Sequence, residues 1–422
     1  MSDSDLHKRL NGLTPAQREL LARRLENARP AARVAESPRG EAAPEIPATR
    51  AVREGGEAGV EFSLMFFSGD GTNTSADKYR LLFESAKYAD AHGFAAVWTP
   101  ERHFQDFGGL FPNPSVLSAA LAMVTRRIQI RAGSVALPLH DPIRVAEEWS
   151  LVDNLSQGRV AVAFASGWHP DDFVLSPASY RERKRIMFDH IRTVQTLWAG
   201  ESVAFPAGHG GDVAVRILPR PVQPELPIWL TSSGSPETWV KAGELGANVL
   251  TGLKGDPASD LPGKILMYRE SLARHGHDPR AGRVTVTLHT YVGEETEAVR
   301  EKVRAPLMSY LRTFIEQGEH LHARDLGVEA RHLADADKVA LSAFAFEGFF
   351  NTAALLGSPD KCARLVARLK NIGVDEIACL VDFGLDVETV IEGLGRLNAL
   401  RERFDRGAGE QARAHARAND YE

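Results

Sequence analysis

From residue 60 onward, short β-rich runs alternate with stretches whose apolar residues recur at three- and four-residue spacing. The runs are FSLMFF (62–67), AAVWT (95–99), IQIRAGSVAL (128–137), RVAVAFA (159–165), PIWLT (227–231), ANVLT (247–251), VTVTLHTYV (284–292) and EIACLVDF (376–383). Helices are predicted near 76–91, 115–125, 142–155, 180–198, 236–245, 261–274 and 387–403, with a long helical region after the seventh run. Such alternation implies parallel strands joined by helical crossovers. Eight strands make an α/β fold of the (β/α)8 barrel type, a TIM barrel with insertions, the leading architecture. A doubly wound open sheet is the alternative.

The pattern divides the chain into 1–58, 59–404 and 405–422. In the first part, LTPAQRELLARRLENA (13–28) predicts a short amphipathic helix with Thr14 as cap and Gln17 three residues on. The stretch 29–58 is rich in Pro, Ala, Gly and Glu and reads as a flexible linker. The last part is a polar tail. Within the barrel, 200–226 and 300–358 exceed ordinary loop lengths. The first contains VAVRIL (213–218), one strand of a hairpin; the second contains extra helices and Phe344, Phe346, Phe349 and Phe350, which suit core packing or a substrate box.

Composition narrows the class. The 422 residues carry 50 Lys+Arg against 56 Asp+Glu, a net charge of −6. That argues against a broad nucleic-acid surface and a polybasic membrane anchor. No apolar run reaches the roughly 18 residues of a spanning helix. The start, MSDSDLHKRL, has no secretory-signal pattern, so a cytoplasmic protein is expected. Cys362 and Cys379 make no disulfide framework, and no metal-ligand cluster is apparent.

In a barrel of this type, chemistry sits past the C-terminal ends of strands. After the second strand come Glu101, Arg102 and His103; after the third, Gly133 and Ser134, then His140-Asp141-Pro142, which reads as a turn with Pro at the start of a helix. After the fourth come Ser166, Gly167 and Trp168. After the fifth, Ser232, Ser233, Gly234 and Ser235 open a helix, either as an anion site or as an ordinary Ser cap. His289 lies mid-strand, a barrel-interior ligand or a core histidine. Dinucleotide, P-loop and nucleophile-elbow motifs are absent from the sequence.

Three blocks carry a resemblance: ERHFQDFGG, AGSVALPLHDPIRVAEEWSLVDNLSQGRVAVAFASGW and PIWLTSSGSPETWVKAGELGANVL. They are similar to the bacterial luciferase-like monooxygenases over about residues 60–400. Within that superfamily the chain looks most like members found with nonribosomal peptide and polyketide assembly lines; LTPAQRELLARRL resembles helices that precede modules of such synthetases. The resemblance implies a barrel that binds reduced FMN, supplied by a separate reductase, and uses O2 to transfer one oxygen atom. By it, Gly133 and Ser134 pass beneath the flavin ring through a non-prolyl cis peptide. Ser166, Gly167 and Trp168 flank the ribityl chain and phosphate, and Ser232, Ser233, Gly234 and Ser235 hold the phosphate. Glu101 and His103 match the catalytic acid and histidine positions.

Two departures stand out. Luciferases carry two histidines after that glutamate, and here Arg102 replaces the first; Ser166 stands where luciferases carry an arginine. The light-emitting aldehyde reaction is therefore not implied. Arg102 is read as an anchor for a carboxylate or phosphate, a phosphopantetheine arm included, or as a surface arginine. The expected substrate is a natural-product intermediate, small or carrier-tethered, and the expected assembly a homodimer, with a flavin reductase and a synthetase as partners and without nucleic acid or membrane. Alternatives are a deazaflavin- or flavin-dependent reductase or dehydrogenase and a non-catalytic flavin-binding synthetase partner.

Overall fold

The computed structural model describes residues 59–70, 75–253, 257, 259–325 and 335–405. The expected N-terminal helix and linker, and the tail beyond 405, lie outside the described residues. In chain order the strands are β1 (Glu61–Met65), β2 (Ala96–Thr99), β3 (Gln129–Ala136), β4 (Val160–Ala165), β5 (Val203–Pro206), β6 (Asp212–Val215), β7 (Ile228–Ser232), β8 (Asn248–Gly252), β9 (Val284–Val292), β10 (Leu355–Gly357) and β11 (Glu376–Leu380). Eight of them pair in parallel in the order β11-β1-β2-β3-β4-β7-β8-β9, and β9 pairs with β11 to close the ring. Closure excludes the open sheet, and the eight barrel strands are those the sequence predicts. β5 and β6 form the antiparallel hairpin, shorter than VAVRIL because Ile217 turns into the core.

The helices are α1 (Arg80–Ala91), α2 (Pro114–Val124), α3 (Pro142–Ser156), α4 (Arg183–Ala199), α5 (Pro236–Glu244), α6 (Leu261–Arg274), α7 (Thr296–Asp325), α8 (Asp335–Gly348), α9 (Pro359–Asn371) and α10 (Val387–Glu402). Their starts are written in the sequence. Asn113, Asp141, Ser358 and Asp386 each accept a first-turn backbone N–H, and Pro follows three of these caps.

The barrel floor holds an ion pair. Arg131 donates to both oxygens of Glu376, at 2.9 and 2.8 Å, and to Gln129. Glu376 also accepts from Ser63 (2.6 Å) and from Trp98 Nε1 (3.2 Å). The Arg131 guanidinium lies 4.8 Å from the ring of Trp98 and 4.5 Å from that of Trp229. Burial pushes the Glu376 carboxyl up, but Arg131 and Arg283 outweigh it and hold the group low.

The long insertion differs from a plain pair of helices. β9 runs three residues past its last β11 partner, and Thr290, Tyr291 and Val292 pair instead with β10, a strand the sequence did not announce. The phenylalanines split: Phe346 and Phe350 stack in the core, Phe349 packs edge-on to His289, and Phe344 is exposed.

Candidate active site

The residues singled out after the strands converge on the C-terminal mouth of the barrel. Glu101 follows β2 after Pro100. Its backbone N–H donates to Ser134 O (3.1 Å), and its Oε2 accepts from Ala136 N (2.8 Å), so the β2 loop is clipped to the end of β3. Its other oxygen accepts from Nε2 of His103 (2.8 Å) and of His140 (2.5 Å). The carboxyl is 1% exposed. Burial pushes its pKa up, but the two histidines more than offset this and hold it down at about 2. His140 moves the other way: burial lowers it, and Glu101 raises it further than burial lowers it. His140 was legible only as part of a turn, and Asp141-Pro142 do start α3 as expected.

The Gly133–Ser134 peptide is cis, as the resemblance implies. A side chain at Gly133 would meet Trp98 Cε3 at 3.0 Å and Met65 Cε at 3.3 Å, a tight fit that favours glycine here. Beyond β4, Gly167 has φ +75° and a Cβ there would stand 2.8 Å from Phe173, while Trp168 is 41% exposed. Beyond β7, Ser232 is buried and accepts from Gly234 N (3.3 Å), whereas Ser233 and Ser235 are exposed. Ser235 stands at the cap of α5 without a side-chain cap bond. Pro236 has no N–H and Thr238 N–H donates to Ser235 O, so the donors left there for an oxyanion are the Glu237 N–H and the exposed hydroxyls of Ser233 and Ser235. That donor set fits a single phosphate.

Arg102 is not a surface arginine: it is 4% exposed, with its guanidinium among Phe67, Phe107 and Trp168. Burial lowers its pKa, and Asp172 opposes this from a distance. Burial in turn pushes Asp172 up to about 6, against the pull of His103 and Arg102. α7 covers the mouth with Tyr310, Phe314 and Gln317, spaced on one helical face. Phe314 stacks on Trp168 with ring planes 9° apart, and Tyr310 stands over His289 at 4.6 Å. His289 is buried in the barrel interior; among the described residues its Nε2 has no partner, and burial pulls its pKa to about 4. Opposite it, the buried Asp382 accepts from the backbone N–H groups of Phe67, Ser68 and Gly69. Burial pushes its pKa up to about 6 despite those bonds.

A cavity of about 440 Å3 opens at the other end of the barrel, lined in part by Arg131, Arg283 and Glu61. Its charged groups are already ion-paired, Arg131 with Glu376, Arg283 with Glu61 and Arg401 with Asp405.

Residues 60–376 match the model of the luciferase-like monooxygenases. The chain belongs to that family. Among its sequence relatives is the oxygenase component of the flavin-dependent trigonelline monooxygenase of Acinetobacter baylyi, 28% identical over 53% of this chain and 62% of the relative. The chain spans less than two thirds of the length of the first relatives it matches. Among solved structures, the monooxygenase RslO1 of Streptomyces bottropensis superposes with a TM-score of 0.64 at 23% identity, covering 81% of this chain and 98% of that one. The oxygenating constituent of 3,6-diketocamphane monooxygenase of Pseudomonas putida, bound to FMN, gives 0.62 at 19% identity, over 80% and 96%. Both show the luciferase-like barrel fold.

The sequence singles out Glu101, Arg102, His103, Gly133, Ser134 and the serine turn, and each lies at or just past the C-terminal end of its strand. Sequence reading missed His140, Asp172, Tyr310, Gln317 and Asp382. Their contacts join segments 39 to 315 residues apart. One signal was available: Asp382 stands two residues past the end of β11, as Glu101 stands two past the end of β2.

Proposed function

We propose that this luciferase-like protein is an FMN-dependent monooxygenase that uses reduced FMN and O2 to oxygenate, by hydroxylation in the first instance, a natural-product intermediate. The observation that carries the reading is the Glu101–His103–His140 cluster clipped to the Gly133–Ser134 bulge, with the uncapped serine turn of β7 three strands along the barrel. Ser232, Ser233, Gly234 and Ser235 would hold the phosphate, Ser166, Gly167 and Trp168 the ribityl chain, and Gly133 and Ser134 the ring. When bound, reduced FMN supplies the electrons that activate O2.

The protein's own part is positional. Glu101, ionised at neutral pH, accepts His103 Nε2–H and so fixes the ring and its tautomer, leaving Nδ1 to hold or pass a proton. α7 and Trp168 shield the mouth from water. A separate flavin reductase is part of the proposal, supported by the trigonelline relative's description as an oxygenase component. A carrier-tethered substrate and a synthetase partner rest on the N-terminal motif LTPAQRELLARRL. A homodimer is supported by exposed Val116 and Met123 on α2 and Leu151 and Leu155 on α3, each pair aligned along one helix face.

The test is turnover of a candidate carrier-bound substrate with FMN, a reductase and isotopically labelled O2. Gain of one labelled oxygen atom is the expected mass change. Oxygen-independent turnover with a deazaflavin would instead establish the reductase or dehydrogenase alternative.

A further inference from the structure

We infer that Arg102 recognises an oxyanion carried by the substrate, a carboxylate as the closest geometric match; this deepens, and rests on, the oxygenase reading of the site. The guanidinium is buried, yet its two hydrogen bonds go to neutral oxygens at long range, Phe107 O at 3.5 Å and Gln317 Oε1 at 3.3 Å. Among the described residues the buried Nη1 has no partner. Among the described residues no carboxylate forms an ion pair with Arg102; Asp172 acts on it only at a distance. A buried charge left uncompensated is costly, and the usual remedy is a paired anion.

The surroundings are built around this side chain. Ring centroids of Phe67, Phe107 and Trp168 lie 4.9, 5.4 and 5.1 Å from the guanidinium carbon. Gly108 adopts φ +81°, and a Cβ there would stand 2.8 Å from Arg102 Cγ. The loop thus gives up a side chain to let the arginine pass. Rings around the cation leave its planar edge as the place for a partner, and that edge pairs bidentately with a carboxylate or phosphate.

Two sources could supply the anion, the flavin phosphate or the substrate. The phosphate already has a donor set at the β7 turn, three strands along the barrel from β2. The anion at Arg102 is therefore assigned to the substrate.

Calorimetric titration with phenylacetate and with phenylacetamide, with and without FMN, tests this on the whole chain. Wild-type protein is expected to bind the acid at least about tenfold more tightly than the amide, the value of one charge-assisted hydrogen-bonded contact. Arg102→Gln should erase that preference, and Arg102→Lys should restore part of it. The preference of the protein for FMN over riboflavin should survive Arg102→Gln. Equal binding of acid and amide by wild type overturns the anion site and needs no variant. Loss of the FMN preference in Arg102→Gln overturns the assignment to substrate and gives Arg102 to the phosphate. Failure of wild type to bind FMN at all removes the flavin reading, and with it the assignment of the anion to a substrate.

Discussion

Two buried arginines sit in aromatic cages at opposite depths of the same barrel. Arg131, near the floor, lies between Trp98 and Trp229 and is matched by Glu376 and Gln129, so that its donors are satisfied. Arg102, at the mouth, lies among Phe67, Phe107 and Trp168 and meets only two distant neutral oxygens. Residue type, burial and cage chemistry are alike. The difference is saturation: a closed network serves the fold, whereas an open one keeps capacity for a molecule that arrives from outside.

The sharpest contrast is expected in chemistry. His103→Ala should lower oxygenated product per flavin oxidised by about 10²–10⁴-fold, the usual range for an acid–base group, with FMN affinity little changed. Stopped-flow mixing of reduced flavin with oxygen, with product counted alongside hydrogen peroxide, measures it. Wild-type product yield in that variant would make His103 a structural member of the Glu101 cluster.

Next comes stability. Arg131→Met leaves Glu376 buried without its main partner and should cost about 3–5 kcal/mol in urea unfolding. Arg102→Met removes a cation that has no ion pair and should cost less than about 1.5 kcal/mol, or even stabilise the fold. Equal losses for the two variants would break the comparison.

The pH dependence is a smaller effect. Glu101 is held at about 2 against an ordinary value of 4.5. Its folded-state pKa is depressed, so its stabilisation is fully present above pH 4.5 and is lost as pH falls toward 2. Asp172 and Asp382 are raised to about 6 from 3.8. Their contribution is present below pH 3.8 and is lost as pH rises through 6. Melting curves between pH 2.5 and 5 should therefore steepen toward acid in wild type and flatten in Glu101→Gln. A Glu101→Gln variant with the wild-type slope would show that the carboxyl's low pKa is not what the acid limb reports.

The smallest effect concerns the outer helices. Leu151→Glu on α3 lies far from either arginine and should change monomer stability by no more than about 0.5 kcal/mol. Light scattering should show it shifting a dimer toward monomer. An unchanged mass would remove the α2–α3 face as the interface.

Much of this was legible in the sequence, and the limits have a physical cause. Strand and helix periods, caps such as Asn113 and Asp141, and the groups that follow each strand are local, and local spacing is what a single chain displays. Glu101 and His103 are two residues apart and were found together. His140 reaches the same oxygen from 39 residues away, and Gln317 reaches Arg102 from 215 residues away. Only closure of the ring brings such groups together. The floor pair had a fainter trace: IQIRAGSVAL carries one basic residue, Arg131, and EIACLVDF opens on an acid, Glu376, and both side chains are buried in largely apolar strands. The Phe344–Phe350 cluster could not be apportioned from spacing, because its π-helical turn at Phe349–Ala353 breaks the ordinary helical period.

The three residues by which β9 outruns β11 have a consequence for how this barrel could diversify. At about 3.3 Å each they add about 10 Å of hydrogen-bonded wall on one side of the opening. The cup has a slanted lip, and its high side is held by β10 through paired backbone amides rather than by side-chain contacts alone. α7 springs from that raised lip, and the end of β10 is tied to its first residue, Ser358 N donating to Thr296 Oγ1. The roof is thus mounted on a post that its own sequence does not need to stabilise. Residues along the roof can change to suit another guest while the post and the floor beneath it keep their register.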